Sequence, residues 1–349
     1  MHNTRLKRFL NSCSDNLKSK IENPKWAGFI ATLVMLVVWG AVAQAQQPKK
    51  VPRIGLLSPL SSSTASLNLE AFRKSLREIG YVEGQNIAID YRFAEGRFDR
   101  LPQLAAELVQ LKVDIIVAGS VSGALATKKA SGSIPIVFVG IGDPVANGLV
   151  ASLARPGGNV TGMTLQSVDT APKQLELLKE AFPKVVRVAV LSNPANPDSG
   201  PSIKGMEVAA RSLGVQLRVV EVRDPTEFEK AFAAIRSERA GALMVLNDIT
   251  FNTHRGRIVE LAAKGRLPTM YGFREFVDAG GLMSYGAGLP DIYRRAAIFV
   301  DKILKGRKPA DLPVEQPMKF EFVINLRAAQ QIGLTIPQSV LFRADKVIK

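Results

Sequence analysis

The sequence predicts an α/β chain built as two doubly wound lobes, and three observations predict it. Short β-branched runs alternate with amphipathic stretches, the pattern of parallel strands joined by helices that cover both sheet faces. The alternation runs through one set, breaks at the turn cluster 155–159 (Arg-Pro-Gly-Gly-Asn), and runs through a second. Beyond the N-terminal leader there remain ~300 residues, more than a single hydrophobic core commonly serves.

The elements follow in order. Residues 53–58 form an apolar run read as a buried strand. Residues 68–80 read as a helix, because Leu69, Phe72, Leu76 and Ile79 recur at helical spacing and Gly80 supplies a stop. Strands are predicted at 87–93, 114–119 and 135–140, with helices at 100–111 and 123–130. After the break come a short strand at 160–164 and a helix at 175–182. The second set then gives strands at 187–192, 216–222 and 242–246, with helices at 203–213, 227–235 and 253–264. Short apolar runs at 268–271 and 282–285 complete it. Gly286 and Gly288 break the chain again before a helix at 292–304, an extended stretch at 309–317 and a last strand at 320–326. A chain that returns after both sets predicts several crossings, with lobe one at 51–164 plus 286–316 and lobe two at 165–285 plus 317–349.

The leader is not expected to belong to the fold. Arg5, Lys7, Arg8, Lys18, Lys20 and Lys25 precede an apolar run at 27–42, followed by small-x-small sites at 41–43 and 43–45. This is the plan of a secretory signal peptide over 1–45. The apolar run is shorter than the ~20 residues of a spanning helix, which argues against a membrane anchor. The single cysteine, Cys13, would leave with the leader, so the mature chain carries no thiol into an oxidising compartment. Removing six Lys/Arg and two Asp/Glu leaves 40 basic and 29 acidic residues, a net +11 against +15 for the whole chain. The basic residues are interspersed with acids along helices, which reads as solvated faces and not as a nucleic-acid footprint.

In open parallel sheets, ligands bind beyond the carboxyl ends of the strands. There the sequence places Ser58 and Ser61 after the first strand, Ser120 and Ser122 after the third, and Asp143 after the fourth. In the second set it places Asn193 and Asn196 after the first strand, and Asn247 and Asp248 after a later one. Ser120 and Ser122 join a strand to a helix, where hydroxyls and free N–H groups favour a carboxylate or phosphate; ordinary N-capping by Ser122 is the competing role. Asp143 and Asp248 are candidate partners for a ligand ammonium, though each could instead cap a turn or pair with Arg255 or Arg257. Tyr271, Phe273 and Tyr285 are candidate aromatic cleft walls, with core packing as the alternative. Replacing Asp248 or Ser122 by Ala is expected to weaken ligand binding and leave the unliganded melting temperature nearly unchanged.

Signals for catalysis are weak. His254 is the only histidine of the mature chain, so a His/Cys metal site is excluded. Gly119-Ser-Val-Ser-Gly123 places Val121 where a nucleophile elbow needs its serine, and no phosphate-binding lysine loop is present. No cofactor is expected, and a binding protein is favoured over an exported α/β enzyme.

One long segment is family-specific. Residues 143–164, DPVANGLVASLARPGGNVTGMT, resemble the hallmark of the tryptophan/tyrosine-type ABC transporter substrate-binding family. LREIGYVEGQN at 76–86, YRFAEG at 91–96, RLPQLAAEL at 100–108 and INLRAAQQIGLTIP at 324–337 support it. The resemblance covers essentially the whole mature chain. It implies a type I periplasmic-binding-protein fold, with two Rossmann-like lobes, three crossings and a hinged cleft. It also implies an aromatic amino acid held by lobe-one serines and lobe-two Asn/Asp groups, here Ser58, Ser120, Ser122, Asn193, Asn247 and Asp248. The 119–123 segment departs from the Thr-Pro or Asn-Pro that relatives often carry. The expectation is therefore a monomeric periplasmic receptor that takes an amino acid or related small carboxylate to ABC permease subunits; a sensory receptor serving a signalling partner is the alternative.

Overall fold

The computed structural model describes residues 50–349, so the expected signal peptide lies outside the described residues. Five strands, β1 (Arg53–Ser58), β2 (Ala88–Phe93), β3 (Ile115–Ala118), β4 (Ile136–Ile141) and β5 (Val160–Thr164), form a wholly parallel sheet in the order β2-β1-β3-β4-β5. Helices α1 (Ser66–Glu78), α2 (Leu101–Gln110) and α3 (Val121–Ala130) connect them. Covering both faces buries every residue of β3 and most of β1, which is why these strands read as unbroken apolar runs.

The second sheet holds β6 (Arg187–Ser192), β7 (Gln216–Glu221), β8 (Ala242–Val245), β9 (Thr269–Tyr271), β10 (Met283–Gly286), β11 (Glu321–Asn325) and β12 (Lys346–Ile348). Its order is β12-β11-β10-β9-β8-β6-β7, parallel except between β10 and β11. Its helices are α4 (Ser167–Ala181), α5 (Ser199–Leu213), α6 (Phe228–Ser237), α7 (Ile249–Thr253), α8 (Arg255–Lys264) and α9 (Arg274–Asp278).

After β10 the chain returns to the first lobe as α10 (Leu289–Leu304). Its buried stripe of Ile292, Tyr293, Ala296, Ala297, Val300 and Ile303 recurs at helical spacing and packs against α1 and β4. Residues 312–315 then lie beside β5. Thr161 Oγ1 donates to Leu312 O (2.7 Å), Glu315 N to Gly162 O (3.0 Å) and Thr164 N to Glu315 O (3.0 Å). The chain crosses back to enter β11, followed by α11 (Leu326–Gln331) and α12 (Gln338–Leu341). It thus passes between the two sheets after β5, after β10 and after 315.

The structure departs from the expected elements at identifiable places. Helix α4 begins at Ser167, not 175, and accommodates Pro172 within it. The helix expected at 253–264 is preceded by the separate helix α7, the two meeting at His254, whose backbone (φ −101, ψ 22) is not helical. The stretch expected to be extended from 309 opens with a 3-10 turn, Pro309–Asp311. Helices α9, α11 and α12 and strand β12 were not anticipated, since each spans six residues or fewer and shows no full period.

Candidate functional site

Each sheet contains a point where the strand order reverses. In the first, β1 lies between β2 and β3; in the second, β6 lies between β7 and β8. Loops leaving the carboxyl ends of strands beside such a point diverge to opposite sheet faces and leave a crevice. A cavity of about 310 Å³ is lined from these loops: Leu60, Asn68 and Ser120–Ser122 of lobe one, and Asn193, Asn196, Asp198 and Asn247–Ile249 of lobe two. Such a volume lies at the lower end of the range for small-molecule sites.

On lobe one, Ser120 is the N-cap of α3, and its Oγ accepts from Gly123 N at 3.0 Å. The cap is thus Ser120 and not Ser122, the capping role considered for Ser122 on sequence. The hydroxyl of Ser122 makes no hydrogen bond to any described residue and lines the cavity. The N–H groups of Val121 and Ser122 have no partner within the helix by its geometry, so the start of this ten-residue helix carries spare donors and a positive dipole end.

On lobe two, the Asp248 carboxylate is 6 % exposed and has no ion-pair partner among the described residues. Oδ1 accepts from Thr250 N (2.8 Å) and Phe251 N (3.2 Å), and Oδ2 from Asn193 Nδ2 and Asn196 Nδ2, both at 3.2 Å. Burial pushes its carboxyl above the ordinary aspartate range, and these hydrogen bonds only partly oppose that. Asp248 therefore caps α7 and stands at the cavity wall. These four hydrogen bonds run against the expectation that Asp248→Ala would leave unliganded stability nearly unchanged. Arg257 engages Glu229 and Glu260 instead, and Arg255 donates to Asn252 O.

Two features tie the lobes at the cavity. Asp198, at the start of α5, reaches across to lobe one and accepts from Gly142 N (3.0 Å), Asp143 N (3.3 Å) and Asn147 Nδ2 (3.0 Å). A side chain on Gly142 would occupy the place of that carboxylate. From the returning helix α10, Tyr293 lines the cavity next to Gly119. Burial pushes its hydroxyl up to about 12, so it stays a neutral donor at ordinary pH.

Of the residues proposed on sequence, Ser120, Ser122, Asn193, Asn247 and Asp248 come together in this lining, as does Phe273. Ser58 is fully buried, its Oγ accepting from Leu60 N, and Ser61 bonds to Ser63 and Thr64. Asp143 Oδ1 caps its own turn through Val145 N and Ala146 N. Tyr271 is buried and stacked on Phe276 at 4.5 Å, and Tyr285 packs on Phe320 and Phe322. These five lie outside the cavity lining because local turns and core packing use their polar and aromatic groups. Sequence reading missed Asn68, Phe98, Arg223, Asn252 and Tyr293, which do line it. Arg223 sits just after β7, so the strand-end rule could have found it; Asn68 lies in the first turn of α1, ten residues beyond β1, and Tyr293 is brought in only by the returning helix.

Two α/β lobes with mostly parallel sheets and a polar cleft at their switch points define a solute-receptor fold. The chain belongs to the ABC transporter substrate-binding protein family, whose model matches residues 53–348. A tyrosine-binding protein of Clostridioides difficile is 27 % identical over 305 residues, covering 86 % of this chain and 87 % of that one. Among solved structures, a Streptococcus pneumoniae ABC domain in complex with L-Trp is 28 % identical with a TM-score of 0.79, covering 85 % of this chain and 99 % of that one. A ligand-free, open structure of a C. difficile substrate-binding protein with adhesive properties is 25 % identical with a TM-score of 0.64, covering 86 % and 99 %.

Proposed function

We propose that this chain is the extracytoplasmic receptor of an ABC importer and that it encloses an aromatic amino acid, or a closely related small carboxylate, between its lobes. The observation that carries the ligand class is the polarity of the cavity. A helix N-terminus with the free Ser122 hydroxyl stands on lobe one, and a buried carboxylate without a cation, Asp248, stands on lobe two. An α-carboxylate suits the first and an α-ammonium the second. Phe98 and Phe273, with Leu60 and Leu289, supply apolar wall for a side chain. The relatives that bind tyrosine and L-Trp agree with this polarity.

In this reading lobe one comprises 51–164 plus 286–316 and lobe two 165–285 plus 317–349. The permease recognises the closed form that the ligand stabilises. The leader directs export, so chain recovered from the periplasm begins near Gln44 or Gln46 on N-terminal sequencing. The function is tested by thermal shift against amino acids, sugars and nucleosides. A ligand specific to the native state adds about 2.7 kcal/mol at a hundredfold excess over Kd. Tryptophan or tyrosine is expected to lead; a response to sugars or nucleosides with none to carboxylates would overturn the ligand class.

A further inference from the structure

The carboxyl ends of β6 and β8 face the cavity, so the amino ends of these parallel strands lie at the opposite end of lobe two. Backbone bonds hold the loops there side by side. Gln216 N donates to Val186 O (2.8 Å), Gly241 N to Arg187 O (2.9 Å) and Leu243 N to Pro268 O (2.8 Å). Into this row the fold gathers six basic residues that are scattered in the sequence. Lys184 and Arg187 lead into β6, Arg239 into β8 and Arg266 into β9, while Arg211 and Arg236 close the last turns of α5 and α6. Neighbouring strands are about 4.8 Å apart, so these charges form one continuous patch.

Little opposes that charge. Glu238 is the only acidic residue in 183–187, 211–215, 236–241 and 264–268, and its carboxylate faces Arg218 at 4.0 Å. Arg187 donates to the backbone oxygen of Glu238 (2.6 Å), and none of the six forms an ion pair among the described residues. The corresponding ends of the first sheet are balanced: Arg53 is held by Asp90 at 2.9 Å, and Lys112 is followed by Asp114.

The same pole exposes apolar groups. Val186, between Lys184 and Arg187, is 60 % exposed, and Phe342 is 81 % exposed. Phe342 belongs to this pole because its neighbour Arg343 pairs with Glu180 in the last turn of α4, the helix that runs into 183–187. Lys179 of that turn donates to Pro183 O (2.8 Å) and Val185 O (2.7 Å). A lone exposed hydrophobe is ordinary. Two beside six unneutralised cations suit a lipid headgroup layer, where cations meet phosphates and apolar side chains reach the acyl boundary.

We propose that this pole of lobe two docks on an anionic phospholipid bilayer. A bilayer suits the patch better than a nucleic acid, because phosphates alone offer nothing to Val186 and Phe342. The cleft lies at the other end of the lobe, so docking leaves it open to solute. The proposal rests on surface chemistry and is independent of the ligand class.

The test is co-sedimentation of the full mature chain with phosphatidylglycerol vesicles and with phosphatidylcholine vesicles. Binding is expected on the first and not the second, and should fade at high salt. Combining Lys184→Gln, Arg239→Gln and Arg266→Gln should weaken it about tenfold or more, since each basic residue at such a surface contributes about fivefold. Lys74→Gln, Lys112→Gln and Lys129→Gln together remove the same charge from lobe one and should cost less than about threefold. Phe342→Ser should weaken vesicle binding several-fold. All these side chains are exposed or lie in loops, and unchanged melting temperatures confirm that the variants fold; Arg211→Glu with Arg236→Glu replaces the first triple if it does not. Equal binding to both vesicles overturns the proposal, as does an equal loss in the two triple variants. Tighter binding to duplex DNA than to vesicles at equal phosphate, or no effect of Phe342→Ser, overturns the bilayer as partner.

Discussion

Gly119 and Tyr293 are fitted to one another: a Cβ on Gly119 would stand 2.7 Å from the Tyr293 hydroxyl oxygen. Gly119 follows the third strand directly, while Tyr293 arrives from a helix 174 residues later in the chain, so the pair fixes where α10 sits against the cleft. Gly119→Ala is expected to destabilise by about 1–3 kcal/mol, since a Cβ there lies well inside contact distance of that oxygen. Tyr293→Phe removes the opposing oxygen, and the double variant should recover at least half of that loss in urea denaturation. Additive losses would show that the contact is not what excludes a side chain at 119.

Asp248→Ala should destabilise the ligand-free protein by about 1–3 kcal/mol, because it strands two helix N–H groups and the buried Asn193 amide at once. Ser122→Ala should change the same measurement by less than about 0.5 kcal/mol, since its hydroxyl has no protein partner to lose. Chemical denaturation of both variants without ligand decides the contrast. Equal losses would mean that Ser122 is structural as well.

Ligand affinity should depend on pH through Asp248. Its folded carboxyl lies above the ordinary aspartate value, so the native state holds a proton that the unfolded chain has already released. Stability of the empty protein therefore falls as pH rises from the ordinary value, 3.8, through the raised one. A ligand ammonium favours the charged carboxylate, so binding expels the proton and affinity climbs across the same window before levelling off. Calorimetry in buffers of different ionisation heat reads the proton release. A flat profile in both affinity and proton count would argue against an ammonium at Asp248.

Asp198→Ala should loosen the closed form, because its three acceptor contacts all lie on the other lobe. Apparent affinity falls in proportion to the population that can bind, and losing charge-assisted bonds of this kind predicts about tenfold weaker binding or more. Small-angle scattering should show a larger radius for the ligand-free variant than for the wild type. Unchanged scattering and affinity would reduce Asp198 to an incidental contact.

Much of this site was legible in the sequence because it obeys a strand-end rule. Ser120, Ser122, Asn193, Asn247 and Asp248 each follow a run of apolar residues closely, and the periodicity places them at carboxyl ends. The same rule also picked out Ser58 and Asp143, whose polar atoms are satisfied within two or three residues by their own turns. Whether a strand-end side chain faces the cleft or its own backbone is decided by local turn geometry, which residue type alone does not reveal. Tyr293 was out of reach for a different reason. Its helix reads as one more amphipathic stretch, and only the return of the chain to lobe one brings it to Gly119.

The pairing of Met163 with Glu315 lays two of the three crossings side by side, joined by the bonds Glu315 N to Gly162 O and Thr164 N to Glu315 O. Adjacent, hydrogen-bonded strands bend together as a ribbon and resist shearing past each other. Bending along that paired ribbon changes the angle between the lobes, as a book turns about its spine. A guest between the pages sets this angle by its thickness. On the proposed receptor function, the size of an enclosed ligand is then converted into the spread of two distant surfaces, as a caliper converts thickness into span.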